Sequence, residues 1–207
     1  FMAACEKLKK AGIVPMVAGL QGDPYTIDFL FRCFIANIYG DNVKDLGTGR
    51  QNFKGNAQFK RAAEIVQEMF AKGYVDPAGT STPYFMDAAN NFAAGKGAMF
   101  VGLLSDVCHW KVFNDALGKD GVGYMPTINF PGASFKDQQV GQPAGIGYSV
   151  MKWSKNPEAA MKVVEAYARG EGNAIWMGMT GALSPNKNVA INSLGYPLVA
   201  KILEKPF

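Results

Sequence analysis

The sequence predicts an α/β fold, because short, continuously apolar runs alternate with longer segments of helical periodicity and turn residues separate them. Three alternations carry the reading. IVPMVA (13–18) follows a helix stopped at Gly12, and AMFV (98–101) follows one stopped at Gly95. A third apolar stretch lies in GQPAGIGYSVMK (141–152), with three glycines near its start. Apolar runs of this length without alternation fit strands covered on both faces.

Taken in order, residues 2–11 have the spacing of an amphipathic helix, and 13–18 form the first strand. Pro15 cannot donate a ladder hydrogen bond, which places that strand at an edge or makes it irregular there. In GLQGDPYT, Asp23 stands where a cap belongs and Pro24 at a favoured first position, so a helix runs from there to about Ile38. Its apolar residues surround most of the axis, which predicts deep burial. Residues 40–56 read as a surface loop, and GTGR within them lacks the Lys-Ser/Thr ending and leading strand of a phosphate loop. The stripe Phe59, Ala62, Ala63, Val66, Met69 and Phe70 marks a helix over 57–72, ended by Gly73. YVDPAGTST reads as a turn, 84–94 as a short helix, 98–101 as a strand and 106–117 as a helix. GVGYMPTINFPG (121–132) holds a short strand. Asn156-Pro157 starts a helix whose buried face is Ala160, Val163, Val164 and Tyr167, stopped by Gly170. Two more short helices are expected over about 172–178 and 195–204. There is no internal repeat and no low-complexity segment.

Composition narrows the function classes. Apolar residues make up 48% and charged residues 18%, which is globular rather than disordered. The net charge of +4 is scattered, so no basic groove for nucleic acid is present. Cys5, Cys33 and Cys108 lie far apart, without metal-ligand spacing, and read as buried free thiols, with one optional bridge left open. A single histidine, His109, argues against histidine metal sites and leaves a Ser/His/Asp catalyst dependent on that one residue. FMAACEKLKKAG is too basic and too short in its apolar run for a signal peptide, and no run of about 18 apolar residues exists to span a membrane. The opening helix and the ending ILEKPF both suggest a piece of something longer.

Four stretches in a shared order carry a resemblance: LQGDPY (20–25), FAAGKGAMFVG (92–102), VGQPAGIGYSVMKWSKNPEAAMKVVEAYARGEG (140–172) and TGALSPNKNV (180–189). Together they resemble the extracellular solute-binding proteins of ABC importers, the carbohydrate-binding family that includes maltose-binding protein. The resemblance implies a periplasmic-binding-protein-like (type II) lobe within an incomplete two-lobed architecture. Residues 1–140 would be most of the second, carboxy-terminal lobe. Residues 141–207 would be the hinge-proximal strand and helices returning toward the first, with the rest of that lobe and the terminal helices absent. It also implies a carbohydrate ligand, an ABC permease as partner, no cofactor and no catalysis. The location implied is a periplasm or the outer membrane face, with the membrane reached only through a lipid anchor or the permease.

Ligands of open α/β sheets bind beyond the carboxyl ends of the strands, and LQGDPY and GLLSD both sit between a predicted strand and a helix. Sugars need carboxylates and amides for hydroxyl pairs and aromatic faces for the C–H side of the ring. Asp23 is placed to accept hydroxyls or to cap its helix, two roles that do not exclude each other. Tyr25 is placed to stack on a sugar or to fill the core, and Gln21 is a weaker candidate. The resemblance puts Ser105 where relatives often have an aromatic residue, and Asp106 beside it is a hydroxyl acceptor or a cap. His109 and Trp110 come next in that helix as bystander and core residue. Gln142 and Tyr148 flank the glycines of the third apolar stretch, where a ligand can approach closely. Trp153 and Trp176 are stacking walls or packing. Three classes remain: a sugar-binding protein or one for another solute; a hydrolase using Asp23 and Asp106 as paired carboxylates; or an interaction module with an exposed apolar helix face.

Overall fold

The computed structural model describes residues 1–40, 43–102, 107–118, 120–125, 128–129, 131–136 and 147–180. Helices α1 (Met2–Lys10), α2 (Tyr25–Tyr39), α3 (Val43–Gly47), α4 (Ala57–Ala71) and α5 (Phe85–Ala93) precede α6 (Val107–Leu117), α7 (Pro157–Ala168) and α8 (Gly170–Thr180). The chain divides into two compact units, Phe1–Gly102 with Gly123–Val140, and Leu103–Val122 with Gly141–Pro206. Helices dominate the described residues, and the strands expected at 13–18 and 98–101 are reduced to single parallel bridges.

Three helices of the first unit end alike, and each ending aims the chain at one paired segment. After α1, Gly12 N–H donates to Lys9 O and Ile13 N–H to Leu8 O; Gly73 and Tyr74 repeat the pattern on Phe70 and Met69, and Gly95 and Lys96 on Phe92 and Asn91. Each glycine has φ between 63° and 75°, the left-handed conformation that this type of cap requires. Two to four residues later come Met16, Val75 and Met99. Met16 bridges both of the others in parallel. Its N–H donates to Tyr74 O (3.0 Å) and its carbonyl accepts from Asp76 N–H (2.8 Å), while Val17 N–H donates to Met99 O (3.0 Å). The segment holding Pro15 is therefore central and not at an edge. The proline is tolerated because pairing passes through the residues around it, which is the irregularity that its missing N–H demands.

The core of this unit gathers Cys5, Met16, Ala18, Leu30, Phe34, Ile38, Ala62, Ile65, Met69, Tyr74 and Val75. Fully burying a side chain such as Leu30 or Phe34 contributes about 1.5–3 kcal/mol. On α4 the buried stripe is Ala62, Ile65 and Met69, with Ala63 and Phe70 exposed, so the helix faces the core about one residue away from the predicted stripe. Asn56 fixes the start of α4: its Oδ1 accepts from Phe59 N–H (2.8 Å) and its Nδ2 donates to Tyr39 Oη (3.0 Å) at the end of α2. Cys5 is a buried free thiol, as expected, whereas the free thiol Cys33 is only half-buried; Cys108 has its side chain outside the described residues. Burial pushes both described thiols up from their ordinary pKa. No helix among the described residues is long and apolar enough to cross a membrane.

In the second unit, α7 begins at Asn156-Pro157 and stops before Gly170, as predicted. Its expected buried face is not buried. Ala160 and Val164 are half-buried, but Val163 is 57% exposed and Tyr167 42%. Among the described elements α7 packs on α8, where Tyr167 meets Trp176 edge-on at 5.8 Å, and one neighbour covers only part of its apolar face. Asn173 is buried and donates to Tyr167 O (2.6 Å), tying the two helices across the turn. The strand expected within 121–132 has no pairing among its described residues, and the helix expected at 195–204 lies outside them.

Gly95 has open space where a Cβ would go, so Gly95→Ala isolates the cost of the left-handed backbone. Urea unfolding of that variant should show a loss of about 1–2 kcal/mol, with Gly95→Asn in between. A second expectation concerns Glu6, whose carboxylate accepts from the buried Tyr74 hydroxyl at 2.5 Å. That bond first, and Lys10 second, hold the Glu6 carboxyl below its usual range. A depressed carboxylate stabilises the fold above its unfolded pKa and loses that effect as the pH falls through the folded value. Tyr74→Phe should therefore raise the Glu6 midpoint in a carbon-13 NMR titration and flatten the acid side of the stability profile.

Candidate ligand-binding site

The three bridged segments run in parallel, so their carboxyl ends emerge together, and there the predicted Asp23 and Tyr25 are found. The 19–23 loop is laced to 79–83 by main-chain bonds. Leu20 N–H donates to Gly79 O and Thr82 O, Gln21 N–H to Thr82 O (3.1 Å), and Gly22 N–H to Pro83 O (2.6 Å). Two glycines permit this approach. A Cβ on Gly19 would lie 2.0 Å from the Tyr84 carbonyl oxygen, and one on Gly22 would lie 2.3 Å from Cε1 of the Tyr84 ring. Thr26, fully buried, accepts from Gly19 N–H and closes the loop onto α2.

Asp23 lies between two helix starts. Its Oδ1 accepts from Tyr25 N–H (3.1 Å) at the first residue of α2, and its Oδ2 from Phe85 N–H (3.4 Å) at the first residue of α5. The cap position of α2 is held by Pro24 and not by Asp23, one residue later than expected, but the Asp23 carboxylate still reaches the first amide of both helices. Asp87 adds a second carboxylate at the start of α5 by accepting from Tyr84 N–H (3.0 Å). Negative charge at both positions is favoured by the helix dipoles.

Around these carboxylates an aromatic row runs inward from the surface. Tyr25 stacks on Phe29 (5.6 Å, 4°), Phe29 meets Phe85 edge-on (5.3 Å), and Phe85 meets Phe100 at 4.9 Å. Tyr25 is 51% exposed and so is not a core residue; Tyr84, its ring over Gly22, is 56% exposed. The arrangement offers two amphipathic rings beside acceptors and main-chain polar groups, with the buried Phe85 and the half-buried Phe29 and Phe100 behind them. Tyr84 is the residue that sequence reading missed. It sits after a paired segment and before a helix, as Asp23 does, but its segment shows only Tyr74-Val75 as an apolar run.

The remaining candidates are not brought to this face by the described structure. Ser105, Asp106 and Gln142 lie outside the described residues, as do the side chains of His109 and Trp110. Tyr148 belongs to the second unit, is exposed and stacks on Tyr167 at 5.5 Å. Trp153 there is 76% exposed, so its packing alternative fails. A hollow lined by Glu6, Lys9, Lys10 and Lys72 lies toward the amino-terminal ends of the bridged segments. Its charges are engaged: Lys10 with Glu6 (3.3 Å), Lys72 with Glu68 (2.6 Å), and Lys9 with the Lys72 carbonyl. Among the described residues no cluster of His, Cys, Asp and Glu is arranged to hold a metal ion.

A family model for bacterial extracellular solute-binding proteins matches residues 1–174. The chain belongs to this family. Two solved structures share the fold of this solute-binding protein. One, from work on xylan utilization by the thermophilic bacterium Caldanaerobius polysaccharolyticus, is 18% identical with a TM-score of 0.76, over 98% of this chain and 51% of its own. The other, a chitin oligosaccharide binding protein, is 18% identical with a TM-score of 0.70, over 99% and 50%. This solute-binding protein thus spans about half the length of those structures. No curated protein matches it.

The close approach at Gly19 is the feature of this face most open to a direct check. Gly19→Ala should destabilise the protein by about 1–3 kcal/mol in urea unfolding, and should weaken the amide-exchange protection of Leu20, Gln21 and Gly22 in particular.

Proposed function

We propose that this protein binds a sugar or oligosaccharide at the face formed by residues 20–25 and 82–85, and hands it unchanged to the permease of an ABC importer. The observation that carries the reading is the pair of exposed rings, Tyr25 and Tyr84, set beside Asp23 at the carboxyl ends of the parallel segments. Sugar rings present a C–H face that packs on tyrosine and hydroxyl edges that need fixed polar partners, and this face supplies both. The fold shared with a chitin oligosaccharide binding protein supports the ligand class.

In this reading Ser105, Asp106, Gln142 and Tyr148 are further ligand contacts. Residues 1–140 make most of one lobe of a two-lobed clamp and 141–207 return toward the other. Ligand binding favours the closed form through contacts that the open form lacks, which is all that a clamp needs to signal occupancy. No bond in the ligand is broken, so the protein is not an enzyme. The extracellular family description supports a location outside the cytoplasmic membrane; in this reading the protein is free in a periplasm or held at the cell surface by a lipid anchor.

Titration of the chain with xylo- and chito-oligosaccharides, monitored by amide NMR shifts and by melting temperature, tests the reading. A bound sugar should perturb residues 20–25 and 82–85 first, raise the midpoint by mass action and be recovered intact. Tyr25→Ala and Tyr84→Ala should each weaken binding about 3- to 10-fold. No response to any sugar beside a clear response to an amino acid or polyamine would overturn the ligand class, and cleaved products would overturn the non-catalytic reading.

A further inference from the structure

The Asp23 carboxylate joins two segments 62 residues apart, through the first amides of two different helices. Each amide is tied to an exposed ring. The Tyr25 N–H belongs to the ring residue itself, and the Phe85 N–H comes directly after Tyr84. The Gly22 N–H bond to Pro83 O, and the seat of the Tyr84 ring on the Gly22 backbone, complete a rigid triangle. Asp has one methylene between backbone and carboxylate, so its two oxygens reach these amides with little rotational freedom. Pro24, with no N–H of its own, adds no competing donor.

We infer that Asp23 is a positioning residue: a carboxylate strap that sets the spacing and tilt of Tyr25 and Tyr84 before ligand arrives, each of its oxygens already holding a main-chain amide. The inference rests on the reading of this face as the ligand site, but the strap itself is present in the free protein. The carboxylate is the group that fits both bonds. A carboxamide at this position has one acceptor oxygen, and its NH2 faces the second N–H donor to donor.

The test uses the isotope-labelled 207-residue chain without sugar. Both amide nitrogens should show scalar coupling through the hydrogen bond to the Asp23 carboxylate carbon. In Asp23→Asn the Tyr25 and Phe85 amide protons should move upfield, and the cross-relaxation between the Tyr84 ring and the Gly22 α-protons should weaken. Should Asp23→Asn fail to fold, the couplings in the unmodified chain still decide. Coupling to one amide alone, or a ring contact unchanged in Asp23→Asn, would overturn the inference.

A sugar arm separates positioning from direct contact. The loss from Asp23→Asn in binding xylo- or chito-oligosaccharide should be smaller in a Tyr84→Ala background than in the unmodified chain, because one of the two rings that the strap positions is gone. Fully additive losses would overturn the inference in favour of an Asp23–sugar contact. Coupling to both amides with no sugar binding in any variant would uphold the strap and overturn only the ligand reading.

Discussion

The main chain around Met16 is shared between two neighbours, and the first unit is arranged around that sharing. A backbone buried as deeply as Met16, Val17 and Ala18 must have its N–H and C=O groups paired. Here the partners come from Tyr74 and Asp76 on one side and Met99 on the other. Each partner is delivered by a helix that stops on a left-handed glycine and turns its chain into line. Side chains from α1, α2 and α4 then close over the pairing as one apolar cluster. Pro15 is informative because it sits where a longer sheet would want a donor; the pairing steps around it, and the sheet stays minimal.

That arrangement separates two jobs. The chain leading into each paired residue serves stability, through the glycine caps, the Glu6–Tyr74 bond and the engaged lysines. The chain leaving each paired residue builds the candidate site, through the 19–23 loop, the 3-10 turn at Pro77–Thr80, and Phe100. Two of the leaving segments meet at Gly19 and Gly22, where the Tyr84 main chain and ring lie too close for any side chain. Tyr25 rests on the half-buried Phe29 and Tyr84 on the Gly22 backbone, so the packing beneath orients both rings while their exposed sides stay open to a ligand.

Much of this was legible in the sequence because local chemistry decides it. The positions of α1, α4, α5 and α7 come from apolar spacing and from Gly12, Gly73, Gly95 and Gly170, and Asp23-Pro24 marked the start of α2. The family was legible from four stretches whose order, more than any one motif, carries the likeness. The illegible part depends on distant partners. Pro15 left an edge or an irregular strand open, because a sequence shows a missing donor but not the neighbours that make it unnecessary. Tyr84 was hidden because two apolar residues are too few to mark a paired segment. The face of α7 was overestimated because periodicity says which side of a helix is apolar, not how much of that side a neighbour covers. Asp23 read equally as cap or ligand acceptor, and nothing local shows that its second oxygen reaches Phe85.

The bridges at Met16 also shape how the chain finds its structure. They join positions roughly sixty and eighty residues apart, and closing such long loops is slow compared with winding a helix. The loops beyond the three segments can be laced together only once those segments have met. Since these loops orient the rings of the candidate site, a molecule in which the helices alone have formed has neither ring in place.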